Sequence, residues 1–270
     1  RMLTTSVNRQ NPLNRMVAEL LNRYEENTGK ALDLKRAYDP RVLNRLVRNS
    51  NNRAMISLTD GITGYQSTTS ISPSLRDAYL ISQGFPVDGN PGKEDKARVH
   101  DFDVYLTMLR AEAEYKRRDQ GKLFQSPISL KRGEVRQTLT ELTAKYGNDF
   151  VDAAQLVDQF GRALWKKQYD AGLITEEAYI GGLDKEFYVP LLRDMSDRKG
   201  KGGLTNSVLV NDGKGTMAHK FGGSKRDVIS PMQALMHKTF AVEAAIAQND
   251  VKKALAALAD ETEGAGAIAH

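Results

Sequence analysis

Residues 148–171 read NDFVDAAQLVDQFGRALWKKQYDA, and their apolar positions Phe150, Ala153, Val157, Phe160 and Leu164 step by three and four. That spacing puts five side chains on one face of an α-helix and leaves the charged and amide side chains on the other. Such a stripe has to be buried against other helices, each full side chain contributing about 1.5–3 kcal/mol. The stretch Glu94 to Arg118 repeats the pattern with Val99, Phe102, Leu106, Leu109 and Ala113. Between the two, Glu134 to Tyr146 reads as a third helix stopped by Gly147. Three helices of this kind make a bundle.

Working outward, four helix starts share one device, a capping residue followed by proline, whose missing N–H costs nothing at the first helical position. They are Asn11-Pro12, Asp39-Pro40, Ser72-Pro73 and Ser230-Pro231, and Gln233 adds a capping box to the last. After Pro12, Leu13, Val17, Leu20 and Tyr24 step at helical spacing up to Gly29. After Pro40, Val42, Leu43, Leu46 and Val47 do the same, continuing through Ile56 to Gly61. Ser72 to Ser82 is a shorter helix closed by Gly84, and the turn-forming Phe85 to Gly92 reads as a linker. Thr175-Glu176-Glu177 caps a short helix that ends at Gly181-Gly182. Pro231 to Gln248 and Asp250 to Ala259 read as two consecutive helices.

The chain has 270 residues, 40% apolar and 27% charged, enough for a real core in one or two domains. Its mean hydropathy of -0.51 and few aromatics favour thin helical layers over a thick enzyme core. Zero cysteines exclude disulfides, thiolate zinc sites and cysteine nucleophiles. A formal net charge of +5 suits an acidic partner, although 39 bases against 34 acids make a mixed surface. No apolar run approaches the roughly 18–20 residues of a membrane span, and Arg1-Met2-Leu3 opens no signal peptide. Both ends read as those of a segment of something longer.

Gly181 to Pro231 departs from the helical pattern. From Arg198 to Arg226 it holds seven Lys or Arg, one acid (Asp212) and seven glycines, so it is cationic and short of core-forming residues. Val208-Leu209-Val210 and Met217 to Phe221 flank a turn at Asp212-Gly213, the pattern of a β-hairpin. Gly213-Lys214-Gly215-Thr216 has the flavour of a phosphate loop, but the helix that would complete one does not start until Ser230. Gly222-Gly223-Ser224-Lys225-Arg226 runs into that capped helix, whose free N–H groups and dipole suit an anion. The candidate anion contacts here are Lys199, Lys201, Lys214, Lys220, Lys225 and Arg226. Arg41, Arg45 and Arg48, at i, i+4 and i+7, form a second basic face that can track a phosphate backbone or pair with Glu25 or Glu26.

Catalytic signals are weak. His100-Asp101 with Asp103 resembles the start of a metal site, but no histidine precedes it and a solvated helix face accounts for it. His219 or His237 has no G-x-S-x-G elbow to serve, and carboxylate pairs such as Glu112 and Glu114 or Asp152 and Asp158 sit where helices need polar faces. No catalytic residue, metal or cofactor is assigned.

The order Gly172-Leu173-Ile174-Thr175-Glu176-Glu177, then Tyr188-Val189-Pro190-Leu191-Leu192-Arg193, then Gly223-Ser224-Lys225-Arg226 and a Ser-Pro-capped helix ending in Gln248-Asn249, resembles a helical module of very large multidomain (polyvalent) proteins of bacteriophages and mobile elements. The resemblance covers about residues 172–258. It carries over no catalytic residue, and implies a structural part of a particle and its DNA-delivery apparatus, or a spacer beside an enzyme, in a virion or the bacterial cytoplasm.

The expected fold is all-α, an elongated helical bundle or array with one small β-hairpin or irregular glycine-rich insertion. The expected organisation is an N-terminal helical segment over 1–92, a bundle over 93–172, a Pro/Gly-rich basic loop over 173–230, C-terminal helices over 231–259 and a disordered tail over 260–270. The expected role is a non-enzymatic interaction segment that docks other subunits or domains, or DNA, through the basic loop. The alternative is a fragment of a nucleic-acid-processing enzyme whose site is completed by domains outside this chain.

Overall fold

The computed structural model describes residues 12–32, 39–88, 92–122, 131–184, 186–187, 189–190 and 230–261. The helices among them are α1 (Pro12–Thr28), α2 (Pro40–Val47), α3 (Ser50–Asp60), α4 (Leu75–Ser82), α5 (Lys96–Asp119), α6 (Arg132–Tyr146), α7 (Asn148–Asp170), α8 (Glu176–Leu183) and α9 (Pro231–Asp260). The protein is all-α. An isolated antiparallel bridge, Thr63 to Ser70, is the one β-pairing among the described residues. The hairpin read around Asp212-Gly213 and the tail after Glu261 lie outside them.

Several starts and stops follow the capping logic. Asp39 caps α2 by accepting from Arg41 N at 2.8 Å, and Thr175 caps α8 by accepting from Ala178 N at 3.2 Å. Others differ. The Ser72-Pro73 helix begins instead at Leu75, capped by Ser74, which accepts from Asp77 N at 2.9 Å. Ser72 is occupied elsewhere: its hydroxyl accepts from Ile62 N and donates to Pro73 O, each at 2.9 Å, closing the loop that leaves α3 at Gly61. The Pro40 helix does not run on to Gly61 but breaks at Arg48-Asn49 and restarts as α3. The two C-terminal helices are one, α9, because Asn249 and Asp250 keep their backbone donors and a weak helix former does not stop a well-buried helix.

The chain divides into two compact units, one of residues 1–52 with 243–270 and one of residues 53–242, so the divisions fall within α3 and within α9. In the first, Val17 and Leu20 of α1 are buried with Leu258 and Ala259 of α9, flanked by Leu13, Met16 and Leu255. Leu46 of α2, read as inward, is 42% exposed, because this short helix buries only its proline.

In the second unit α7 is the axis. Phe150, Ala153, Val157, Phe160 and Leu164 are all fully buried, the whole stripe read from sequence. The most extensive helix pairing is α4 along α7, followed by α5 with α6. Phe150 also gathers an aromatic node. Phe102 and Tyr105 of α5 meet it at 5.1 and 5.5 Å between ring centroids, and Tyr146 of α6 stacks on it at 4.2 Å. Unlike α7, α5 is buried around more than one stripe: Tyr105, Met108, Ala111 and Tyr115 join Phe102, Leu106 and Ala113, because α6 covers a further face.

Candidate functional site

The cationic candidates Lys199, Lys201, Lys214, Lys220, Lys225 and Arg226 lie outside the described residues. The nearest described residues in sequence, up to Pro190 before it and from Ser230 after it, attach to α5 on both sides. On the N-terminal side, Arg110 donates to Phe187 O at 3.1 Å and Val189 is buried. Arg162 of α7 donates to Glu186 O at 2.9 Å, Lys116 pairs with Glu186 at 2.7 Å, and Lys122 pairs with Asp184. Cations thus converge on the C-terminal end of α8, where the helix dipole is negative.

On the C-terminal side, Ser230 donates to Asp103 Oδ1 at 2.7 Å, and the same carboxylate accepts from Met232 N–H. Asp103 and Arg110 stand seven residues apart on α5, about 10 Å along its axis. Burial pushes the Asp103 carboxyl up, against the hydrogen bonds from Ser230 and Met232 and the charge of His100, which pull it down.

This junction settles what fills the start of α9. Pro231 has no N–H, Met232 donates to Asp103, Gln233 donates to Ser230 Oγ at 3.2 Å, and Ala234 donates to Ser230 O at 2.8 Å. The anion that a helix N-terminus attracts is here an internal carboxylate, so these donors are already committed. The sequence raised Asp103 as a metal-site fragment with His100, but it is the outside cap of another helix.

The second basic face is only partly free. Arg41 makes a two-nitrogen clasp on Asp39, Nε at 3.0 Å and Nη2 at 2.8 Å. Burial alone would push Asp39 up, yet these bonds hold its carboxyl below the ordinary range, and Asp39 in turn raises Arg41. Its partner is therefore its own helix cap, neither Glu25 nor Glu26. Arg45 and Arg48 are exposed and form no ion pair with an acid among the described residues.

His100 and Asp101 do not converge on an ion. Asp101 accepts from Tyr146 OH at 2.6 Å and from Lys145 Nζ at 2.9 Å, which hold it below the usual carboxylate range, while His100 is exposed. Among the described residues no group of three or more His, Asp or Glu is placed to hold a metal. Of the other acids named as pairs, three are claimed: Glu112 by Arg132 and Arg136, Glu114 by Arg110, and Asp158 by Arg162.

A cleft of about 340 Å³ opens between α5 and α7, with Leu109 and Tyr105 on one wall and Gln155, Asp158 and Gln159 on the other. Glu186 closes it, and the two carboxylates lining the cleft are paired, Asp158 with Arg162 and Glu186 with Lys116. It offers amides and an apolar floor without a free charge. Lys167 and Lys238, which no sequence pattern marked, are 5% exposed. Lys167 Nζ reaches Thr63 Oγ1 at 3.3 Å, and Lys238 lies over the Trp165 ring at 4.9 Å. These contacts join α7 to the loop after α3 and to the first turns of α9.

What these features define is a helical protein in which the acids first read as catalytic or metal-site candidates are for the most part paired with neighbouring side chains. No helix among the described residues is long and apolar enough to cross a membrane. No protein-family model matches the chain, and no curated protein or solved structure matches it significantly.

Proposed function

We propose that this chain is a non-enzymatic structural and interaction segment of a phage-type multidomain protein, working in a virion or the bacterial cytoplasm. It offers its basic glycine-rich stretch to nucleic acid. One observation carries the reading. Arg198 to Arg226 has seven bases and one acid, a net of +6 in 29 residues, so the remaining 241 residues of this +5 chain sum to −1. All the net cationic character is in the stretch, and half of the described bases elsewhere are paired with acids. Described residues on the two sides of the stretch in sequence are both held on α5, Phe187 by Arg110 and Ser230 by Asp103.

A chain of this kind binds through counterion release, so affinity falls steeply with salt. Fluorescence anisotropy of duplex and single-stranded DNA with the full chain, from 50 to 300 mM NaCl, tests it. If all six candidates of the stretch contact phosphate, the log–log slope on duplex is about −5. Replacing Lys199, Lys201, Lys214, Lys220, Lys225 and Arg226 with Gln abolishes the binding, whereas Arg45→Gln with Arg48→Gln reduces the slope by at most about 2. Undetectable or salt-independent binding ends the nucleic-acid reading and leaves an acidic protein surface as the partner.

A further inference from the structure

We propose that α6 is a strap held on α5 by charge more than by core, and that screening those charges lifts it as a unit, uncovering the Met108, Ala111 and Tyr115 strip of α5. Its buried anchoring is slight. Val135 is the one fully buried side chain of α6, with Leu139 partly buried beside it, whereas eleven residues of α7 are buried.

The ionic contacts lie at its two ends. At the first turn, Glu112 accepts from Arg132 Nη2 at 2.8 Å and from Arg136 Nη2 at 2.9 Å, and Arg132 also pairs with Asp119. Arg132 and Arg118 both lie over the Tyr115 ring, at 5.9 and 4.9 Å. At the last turn Asp101 holds Lys145 and Tyr146. Every acid in this set is on α5, and the α6 cations Arg132, Arg136 and Lys145 all meet one, while Asp119 also meets Arg118 of its own helix. Acids of α5 facing cations of α6 at both ends make this interface depend on ionic strength, since the Debye length falls from about 10 Å at 0.1 M to about 3 Å at 1 M.

The geometry also supplies a hinge. Gly147 joins α6 to α7 at φ +62° and ψ −141°, a conformation that glycine adopts freely, with nothing within 4 Å of where a side chain would be. Tyr146 stays stacked on Phe150 beside it. Opening therefore starts at the Arg132 end and pivots on Gly147. Local opening of this kind belongs to the low-stability end of a fold, where few apolar contacts hold an element.

Hydrogen exchange on the full chain, followed by mass spectrometry at 0.05 and 0.5 M NaCl and constant pH, tests it. Amides of residues 135–142 are expected to exchange about fivefold or more faster at high salt, with those of 153–164 unchanged. Glu112→Gln, which removes the charge shared by both arginines, is expected to give about tenfold faster exchange in α6 already at low salt. Arg136→Gln, at a largely exposed position, gives a smaller change of the same kind and controls for misfolding. Equal exchange of α6 and α7 at both salts, or a common acceleration of both in Glu112→Gln, would show that α6 belongs to the cooperative core and overturn the proposal.

Discussion

Gly182 stands where a methyl group does not fit. An added Cβ would lie 2.6 Å from Cε2 and 3.0 Å from Cδ1 of Trp165, whose indole N–H donates to Tyr179 O at 3.2 Å. The helix α8 ends one residue beyond, at Leu183, and this glycine also serves as the contact surface for Trp165. Gly182→Ala is expected to cost about 1–3 kcal/mol through forced repacking. Fluorescence-detected denaturation checks it, since Trp165 is the single tryptophan. Arg110 and Glu114 form a pair at 2.5 Å with side chains 10% and 5% exposed. Glu114→Gln leaves the guanidinium buried without its counter-charge and is expected to cost about 3–5 kcal/mol. Replacing both by Met costs less, because no charge is then stranded; urea midpoints of the single and double variants separate the two cases.

At the scale of elements, what was legible in the sequence is what periodicity controls. The α7 stripe appears whole because one helix face meets one continuous core, and its loss is expected to be severe. Phe150→Ala empties the aromatic node shared by α5, α6 and α7 and should destabilise by about 3–5 kcal/mol, while Leu183→Ala, 43% exposed, stays within about 1 kcal/mol by thermal denaturation. Helix ends were less legible, because a cap is chosen by competition. Ser72 and Ser74 both suit the role, and only the loop closed on Ile62 decides that Ser74 takes it. The ion pairs were least legible of all. Arg110–Glu114 obeys the i, i+4 rule and can be read locally, but Glu112 meets Arg132 twenty residues on, and Asp103 meets Ser230 at a separation of 127. Of the candidate anion contacts, Arg41 escaped the helix-face argument in another way. Its acid partner lies just before the helix, outside the helix face that the spacing argument considered.

Over the whole molecule, carboxylates shifted in opposite directions contribute with opposite sign to the pH dependence of stability. Asp101 is held below its ordinary value by Tyr146 first, while in Asp39 and Glu112 burial pushes upward but the arginine hydrogen bonds outweigh it. A lowered folded value means stability that is present above the unfolded range, about 3.8–4.5, and lost as pH falls through the folded values. Asp103 has the opposite sign, because burial raises it. Its contribution is full below the unfolded value and declines as pH rises through the folded one. The variants therefore diverge. Relative to the unaltered chain, the deficit of Glu112→Gln or Asp101→Asn should shrink as urea unfolding is repeated from pH 7 down to pH 3. The relative stability of Asp103→Asn should instead rise from pH 3 to pH 7, because Asn keeps an acceptor for Ser230 without a buried charge. A fall with pH in that last series would mean that Ser230 and the α9 backbone stabilise the carboxylate by more than burial costs it. The Asp103 junction would then be a charge-binding helix terminus, and the start of α9 would be held most firmly at neutral pH.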